Sequence, residues 1–173
     1  MSNISRAGKI KLLSLDTDGV LTSGQLFYTE QGEFIKAFNT QDGLGIKMAQ
    51  KSGLIIAIIT GRTSLMLQKR AEELGIADIY QGVEDKKRVM DSLRAKYKLD
   101  TSETAHIGDD LNDLPILRDC GLACAVANAV DEVKIYAHFI TARQGGNGAV
   151  RETIEFILKA QNKWENSVNY FLK

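Results

Sequence analysis

Short apolar runs alternate with longer amphipathic segments along most of the chain, and this alternation constrains the fold most strongly. The run LIIAII at residues 54–59 is apolar without a period of two, which is typical of a strand buried on both faces of a sheet. Alternating helices and strands form parallel sheets with helices packed against them. The pattern predicts an α/β fold, a doubly wound (Rossmann-like) parallel sheet with helices on both faces. The predicted strands lie at residues 10–15, 54–59, 79–80, 104–107, 122–125 and 138–140, and the predicted helices at 42–52, 63–74, 84–97, 111–119, 130–135 and 148–162.

One segment interrupts the alternation. Residues 24–38, GQLFYTEQGEFIKAF, contain two short strand-like runs around a Glu-Gln-Gly turn. Such a pattern predicts a β-hairpin, inserted here after the first strand. The sequence shows no internal repeat and no low-complexity linker, so we expect a single domain over residues 1–173, with a C-terminal tail at about 163–173.

Charge and composition exclude several classes of partner. The 22 basic and 22 acidic residues balance, so no overall field favours nucleic acid or an acidic membrane surface. The start, MSNISRAGKIK, is polar and unlike a secretory signal, and no apolar run approaches the ~20 residues of a membrane span. Cys120 and Cys124 are expected to be buried thiols rather than a disulfide or a metal pair. We therefore expect a cytoplasmic protein that binds neither nucleic acid nor a membrane.

Polar residues follow the predicted strands at their carboxyl ends. The sequence DTDG follows the first strand at 16–19, TGR follows the second at 60–62, Lys86 lies beyond the third, and GDDLND follows the fourth at 108–113. Each motif alone has a structural explanation, such as a turn or a helix cap. Ligands bind at the carboxyl ends of parallel strands, and all of these motifs lie there. Their common placement favours a single site.

Phosphoryl transfer is the chemistry that these residue types suit. Asp16, at the strand tip, can attack phosphorus and form an aspartyl-phosphate, while Asp18 can protonate the leaving alkoxide and then deprotonate the hydrolytic water. Carboxylate oxygens favour Mg²⁺, with Asp16, Asp109 and the backbone carbonyl of Asp18 as candidate ligands. Thr60 and Lys86 can bind the phosphoryl oxygens.

These motifs together resemble the haloacid dehalogenase superfamily of phosphatases. The resemblance implies the same roles for the residues already named, adds Gly61 to the phosphate-binding set, and gives Asn112 and Asp113 supporting roles. Only 44 positions separate Asp16 from Thr60, and 26 separate Thr60 from Lys86. Neither interval can hold a separate cap domain, so a capless member is expected, with a neighbouring subunit as the source of substrate specificity.

A narrower resemblance comes from five segments, KAFNTQDGLGI, AIITGR, YQGVEDK, GDDLND and RQGGNGAVRE. Together they resemble the 3-deoxy-D-manno-octulosonate 8-phosphate phosphatase family over nearly residues 10–162. The resemblance implies a Mg²⁺-dependent phosphoric monoester hydrolase that acts on the 8-phosphate of an eight-carbon keto acid sugar, on the path to lipopolysaccharide. It also implies a homotetramer whose hairpins pack into a central barrel.

The sugar acid carries a carboxylate and several hydroxyls, so its contacts are expected among polar residues near the nucleophile. The candidate substrate-binding residues are Asp18, Asn39, Thr40, Gln41, Asp42, Gly43, Lys47, Arg62 and Arg70. Lys47 stands where the family commonly has arginine, and a lysine lacks the bidentate fork with which arginine grips a carboxylate.

Three alternatives remain open. One is a phosphatase for a related nine-carbon keto acid sugar 9-phosphate. Another is a phosphoacceptor receiver domain, against which Asp18 and the inserted hairpin both argue. The last is a non-catalytic oligomerisation module, against which the intact set of acidic residues argues. The glycine-rich RQGGNGAVRE is either a flap that approaches an anion or a turn into the last helix, and His106 and His138 are expected to be structural.

Overall fold

The computed structural model describes residues 2–172 and contains a six-stranded sheet and a separate two-stranded hairpin. The strands are β1 (Leu12–Leu15), β2 (Phe27–Thr29), β3 (Gly32–Ile35), β4 (Ile55–Ile59), β5 (Asp78–Tyr80), β6 (Thr104–Gly108), β7 (Leu122–Ala125) and β8 (Phe139–Ile140). The helices are α1 (Asn3–Ala7), α2 (Thr40–Lys51), α3 (Leu65–Leu74), α4 (Lys86–Tyr97), α5 (Leu114–Leu117), α6 (Asp131–Tyr136), α7 (Ala149–Ala160) and α8 (Trp164–Asn169), with 3-10 turns at Thr101–Glu103, Leu111–Asp113 and Tyr170–Leu172.

The six-stranded sheet is parallel throughout, as its apolar strands predict. Its strand order is β5-β4-β1-β6-β7-β8, and Leu12 of β1 pairs with Ile55 on one side and Thr104 on the other. The side chains of β1, β6 and β7 are buried along their whole length. Central strands buried on both faces lose water from every side chain, which is why they contain few polar residues.

The connections place helices on opposite faces of the sheet. From β1 the chain moves outward to β4 and β5, then crosses back to β6 and continues to β7 and β8. Right-handed crossovers in opposite directions lie on opposite faces. In agreement, α1 and α2 each pack against α7, whereas α4 and α6 pack against α5. The predicted α/β fold is confirmed, and the direction of winding reverses between β1 and β6.

The predicted hairpin is present as β2 and β3, which pair antiparallel between β1 and α2. Its apolar side chains are largely exposed to solvent: Leu26, Phe27, Tyr28, Phe34 and Ile35 are 43–68% exposed. A two-stranded hairpin buries little surface by itself. Exposed aromatic side chains on such an element are typical of a surface that another chain covers.

One predicted helix differs in the structure, and the helices α1 and α8 were not predicted. The helix predicted at 111–119 is a 3-10 turn followed by the four-residue α5, because Asp110 and Asp113 cap the turn and Pro115 lacks an amide hydrogen. The tail, whose structure was not predicted, contains α8. The two cysteines are buried free thiols, as expected. Within residues 2–172, no helix has both the length and the apolar character needed to cross a bilayer.

Candidate active site

The site lies where the winding of the sheet reverses. Asp16 directly follows β1 and Asp109 directly follows β6, and these two strands are neighbours. The carboxyl ends of strands at such a point form a crevice in open α/β sheets. Asp113 comes from the 3-10 turn just after β6, and one carboxylate oxygen from each of Asp16, Asp109 and Asp113 lies within 4.8 Å of the other two.

Lys86 partly neutralises this cluster of acidic residues. It begins α4, is 2% exposed, and its Nζ lies 2.9 Å from Asp16 Oδ2 and 2.6 Å from Asp113 Oδ1. A buried carboxylate is unfavourable unless a nearby charge compensates it. Lys86 therefore fixes the nucleophile candidate Asp16, whose Oδ1 also accepts a hydrogen bond from the Thr17 amide at 2.7 Å.

The carboxylate of Asp113 is engaged by donors from the protein. His106 Nε2 lies 3.0 Å from Oδ1, which Lys86 also contacts, and the Asp109 amide donates to Oδ2 at 3.0 Å. Burial alone would raise the pKa of Asp113, but the bonds from His106 and Lys86 outweigh it and hold the pKa well below its usual range. Asp113 therefore orients Lys86 and the start of the turn after β6 through these contacts. This agrees with the supporting role expected for it.

Asp109 is the group left without compensation. Among residues 2–172, its buried Oδ1 has no hydrogen-bond partner. Burial, followed by the charges of Asp16 and Asp113, raises the pKa of Asp109 to about 8. Burial and the charge of Asp113 also raise the pKa of Asp16. An unpartnered carboxylate oxygen beside a second carboxylate fits a hard divalent cation with oxygen ligands, so these residues are suited to Mg²⁺.

Asp18 faces the hairpin. Its Oδ1 accepts a hydrogen bond from Lys36 Nζ, and its Oδ2 lies 3.4 Å from Arg62 Nε. Glu33, also on the hairpin, lies 3.2 Å from Lys36 Nζ and accepts a hydrogen bond from Ser64 Oγ at 2.6 Å. Sequence reasoning missed Lys36 and Glu33, since nothing in a strand-like run shows that the hairpin folds back over the site.

Thr60 and Gly61 leave β4 at the same edge of the sheet. Thr60 is 2% exposed, its amide donates to Tyr80 O and its carbonyl accepts from the Val83 amide, both at 3.0 Å. These bonds hold the turn between β4 and β5, while Gly61 is exposed. The predicted phosphate-binding residues therefore lie in a rigid turn beside the aspartates of β1.

The start of α2 carries several of the predicted substrate contacts. Asn39 caps this helix through a hydrogen bond from the Gln41 amide to its Oδ1 at 2.8 Å, and its Nδ2 donates to Gly146 O at 3.3 Å. Gln41 Oε1 accepts a hydrogen bond from Arg143 Nη1 at 2.7 Å. Thr40 and Gln41 are exposed. The structure thus leaves polar side chains of this turn open to a ligand.

Other predicted contacts are placed differently from what the sequence suggested. Asp42 is 1% exposed, and its carboxylate accepts hydrogen bonds from the amides of Arg151, at 2.8 Å, and Gly148, at 3.3 Å. It therefore satisfies amides at the start of α7 from a buried position. Lys47 lies on α2 beyond its first turn. There it lines a groove together with residues of the C-terminal tail.

Arg70 and Asn112 occupy the margins of the site. A Cβ on Gly43 would lie 3.3 Å from Arg70 Cζ, so the absent side chain at position 43 makes room for the Arg70 guanidinium. Arg70 also pairs with Glu73 at 3.1 Å. Asn112 is exposed within the 3-10 turn that presents Asp113.

The glycine-rich segment contains a turn that leads into α7. This turn packs on the loop that follows β1 at residues 16–20, the aspartate loop. The Gly146 amide donates to Val20 O at 2.9 Å, and a Cβ on Gly145 would lie 2.5 Å from Gly19 C. Only glycine permits so close an approach of two backbones. Of the two interpretations of this segment, the structure supports the turn, which leads into α7 rather than into the last helix.

The chain has close relatives of known type. A model of the haloacid dehalogenase-like hydrolase family matches residues 75–153. The 3-deoxy-D-manno-octulosonate 8-phosphate phosphatase KdsC of Yersinia pestis is 44% identical over 164 residues, which are 95% of this chain and 88% of that protein. The chain belongs to this phosphatase family.

Solved structures of the phosphatase family share the fold. The 3-deoxy-D-manno-octulosonate 8-phosphate phosphatase of Moraxella catarrhalis, in complex with magnesium ion, phosphate ion and KDO, is 44% identical, with a TM-score of 0.95 over 98% of this chain and 97% of that one. The cobalt-bound deoxy-D-mannose-octulosonate 8-phosphate phosphatase of Haemophilus influenzae is 39% identical, with a TM-score of 0.93 over 97% of this chain and 99% of that one.

Proposed function

We propose that this chain is a Mg²⁺-dependent phosphatase that hydrolyses 3-deoxy-D-manno-octulosonate 8-phosphate to the free sugar acid and phosphate. One observation carries the proposal: Lys86 joins Asp16 to Asp113 at the tips of β1 and β6, while Asp109 beside them is uncompensated. The membership of the chain in the phosphatase family supports the eight-carbon substrate and a place on the path to lipopolysaccharide.

Asp16 is the nucleophile of the proposed reaction. Its carboxylate oxygen forms a bond to phosphorus while the bond from phosphorus to the sugar oxygen breaks, which leaves an aspartyl-phosphate and an alkoxide. Asp18 donates a proton to that alkoxide. Asp18 then takes a proton from a water molecule that attacks phosphorus, and this step releases phosphate and restores Asp16.

The other residues of the site would bind the phosphoryl group and offset its charge. Asp16, Asp109 and the backbone carbonyl of Asp18 would hold Mg²⁺, which offsets negative charge on the phosphoryl oxygens when it is bound. Lys86 neutralises charge on Asp16, and Thr60 and Gly61 bind phosphoryl oxygens at the turn after β4.

The sugar acid would lie between Arg62 and the start of α2. Arg62 is 41% exposed at its side chain, so its guanidinium can bind a carboxylate at the mouth of the site. Asn39, Thr40 and Gln41 would contact the hydroxyls, with Gly43 and Arg70 at the margin. Because the site is open, the hairpins of neighbouring subunits in a homotetramer would complete it, and the exposed aromatic residues of β2 and β3 support this assembly.

The location that fits this function is the cytoplasm. The buried free thiols of Cys120 and Cys124 agree with a reducing compartment.

Phosphate release from a panel of sugar phosphates, with Mg²⁺ and with a chelator, tests the proposal. A Mg²⁺-dependent preference for the eight-carbon 8-phosphate is expected. Preference for a nine-carbon 9-phosphate would show that the proposed substrate is wrong. Absence of phosphate release from every compound would indicate a non-catalytic module. Asp16→Asn should abolish release without unfolding the protein, and retained activity in that variant would overturn the mechanism.

A further inference from the structure

His106 is a buried titratable group that the proposed mechanism does not use. It lies in β6 directly beside Ser14 of β1, and both residues are 0% exposed. Ser14 Oγ lies 2.7 Å from His106 Nδ1, and His106 Nε2 lies 3.0 Å from Asp113 Oδ1. A continuous line of polar contacts therefore runs from Ser14 through His106 and Asp113 to Lys86.

The hydrogen bonds determine which ring nitrogen carries the proton. Asp113 Oδ1 is a carboxylate oxygen and can only accept, so Nε2 must be the donor. In a neutral ring Nδ1 is then an acceptor, and the Ser14 hydroxyl donates to it. The alternative acceptor for that hydroxyl, Ala105 O, is more distant at 3.2 Å.

His106 competes with Lys86 for the same carboxylate oxygen. Lys86 Nζ is already closer to Asp113, at 2.6 Å, than to Asp16, at 2.9 Å. Without the His106 donor, Asp113 Oδ1 keeps Lys86 as its remaining side-chain partner and attracts it more strongly. Lys86 would then move away from Asp16 and leave the nucleophile less well compensated.

We propose that Ser14 and His106 form a buried hydrogen-bonded pair that positions Asp113 and thereby holds Lys86 against Asp16. This inference rests on the proposed phosphatase function. His106 is a positioning residue in it, because it contacts neither the substrate nor the reacting atoms. The pair is specified by sheet register, since Ser14 and His106 are partners in the pairing of β1 with β6.

Two substitutions of equal length separate positioning from packing. The amide of His106→Gln can still donate to Asp113, whereas His106→Met has a similar shape and no donor. In the full-length enzyme with Mg²⁺, we expect His106→Met to lower kcat about tenfold with KM nearly unchanged, and His106→Gln to recover most of that loss. Equal kcat in both variants, or a loss confined to KM, would overturn the proposal, and thermal unfolding shows whether each variant is folded.

A spectroscopic measurement keeps this test independent of turnover. Nitrogen-15 correlation spectra of the imidazole should show the Nε2–H tautomer in the unmodified protein. In Ser14→Ala we expect the same tautomer, with the Nδ1 resonance displaced by the loss of its hydroxyl donor. An Nδ1–H ring in the unmodified protein would overturn the pair even if no phosphate release were found for any substrate. Inactivity with the expected tautomer would instead count against the phosphatase function alone.

Discussion

The carboxylate of Asp109 occupies the space that a side chain at position 19 would need. A Cβ added to Gly19 would lie 2.5 Å from Asp109 Cγ, and Gly19 has a φ of +88°. The Asp109 side chain therefore lies against the loop after β1 because position 19 is glycine. The pairing of β1 with β6 brings Asp109 next to Asp16.

Gly19→Ala should displace Asp109 and weaken Mg²⁺ binding, measured by titration calorimetry. Gly53→Ala is a matched control, because Gly53 has a similar φ of +85° and no atom of the described part of the chain lies within 4 Å of an added Cβ. Both substitutions place alanine in the left-handed region, at a cost of about 1–2 kcal/mol in the free energy of unfolding. Equal Mg²⁺ affinity in the two variants would contradict the close approach seen here.

Asp109 also predicts how the stability of the metal-free protein depends on pH. Burial and the charges of Asp16 and Asp113 raise its folded-state pKa to about 8 from the usual 3.8. The folded state then binds the proton that the unfolded state releases, so the stability from this group is complete below pH ~4 and is lost as pH rises towards 8.

Asp109→Asn should therefore be more stable than the unmodified protein at pH 8 in a chelator, with the difference vanishing near pH 4. Added Mg²⁺ should reverse the order, because the cation stabilises only the protein with the carboxylate. Thermal unfolding midpoints across this pH range, with and without Mg²⁺, provide the measurement. A pH-independent difference would show that Asp109 does not titrate in this interval.

Lys86→Met should strongly destabilise the fold as well as abolish turnover. The substitution leaves the buried carboxylates of Asp16 and Asp113 without their cation, a change that typically costs about 3–5 kcal/mol. Lys87→Met is the control on the next residue, because Lys87 is 42% exposed and its surface pairs with Asp91 and Asp119 add little to stability. Urea unfolding compares the two variants, and similar losses would contradict the central role of Lys86.

The hairpin predicts an effect on assembly. Phe34 is 68% exposed on β3, so Phe34→Glu should place a charge in the proposed contact between subunits. We expect it to lower the molar mass of the protein measured by sedimentation equilibrium. Ile135→Glu, on α6, changes a residue that is 77% exposed and lies away from the hairpin. If the unmodified protein sediments as a monomer, or Phe34→Glu leaves its mass unchanged, the hairpin does not mediate assembly.

The sequence predicted the strands better than the short helices. Strands such as β7 are short apolar runs that are fully buried, so their positions follow from burial alone. The segment after β6 was predicted as one helix, because the capping of Asp110 and Asp113 competes with helical hydrogen bonds in a way that periodicity does not show. The five-residue α1 is too short for its periodicity to be seen.

In the candidate site, the acidic residues at the strand ends were predictable and their partners were not. Asp16 and Asp109 follow strands, and parallel strands bring their carboxyl ends to one edge. The contacts of Lys36 with Asp18 and of Ser14 with His106 join residues 18 and 92 positions apart. Such pairs depend on sheet register and on the folded hairpin, which local sequence does not specify.

The pairing of β1 with β6 also has a kinetic consequence. These neighbouring strands join Leu12 to Thr104, so the ends of a long loop must meet before the two halves of the aspartate cluster come together. Contacts between residues far apart in the sequence form slowly, because the chain must lose loop entropy before these contacts stabilise it. On the ribosome, a nascent chain lacks a complete cation site until β6 has emerged. Metal binding during refolding would therefore report the closure of this long-range pair rather than the formation of any local element.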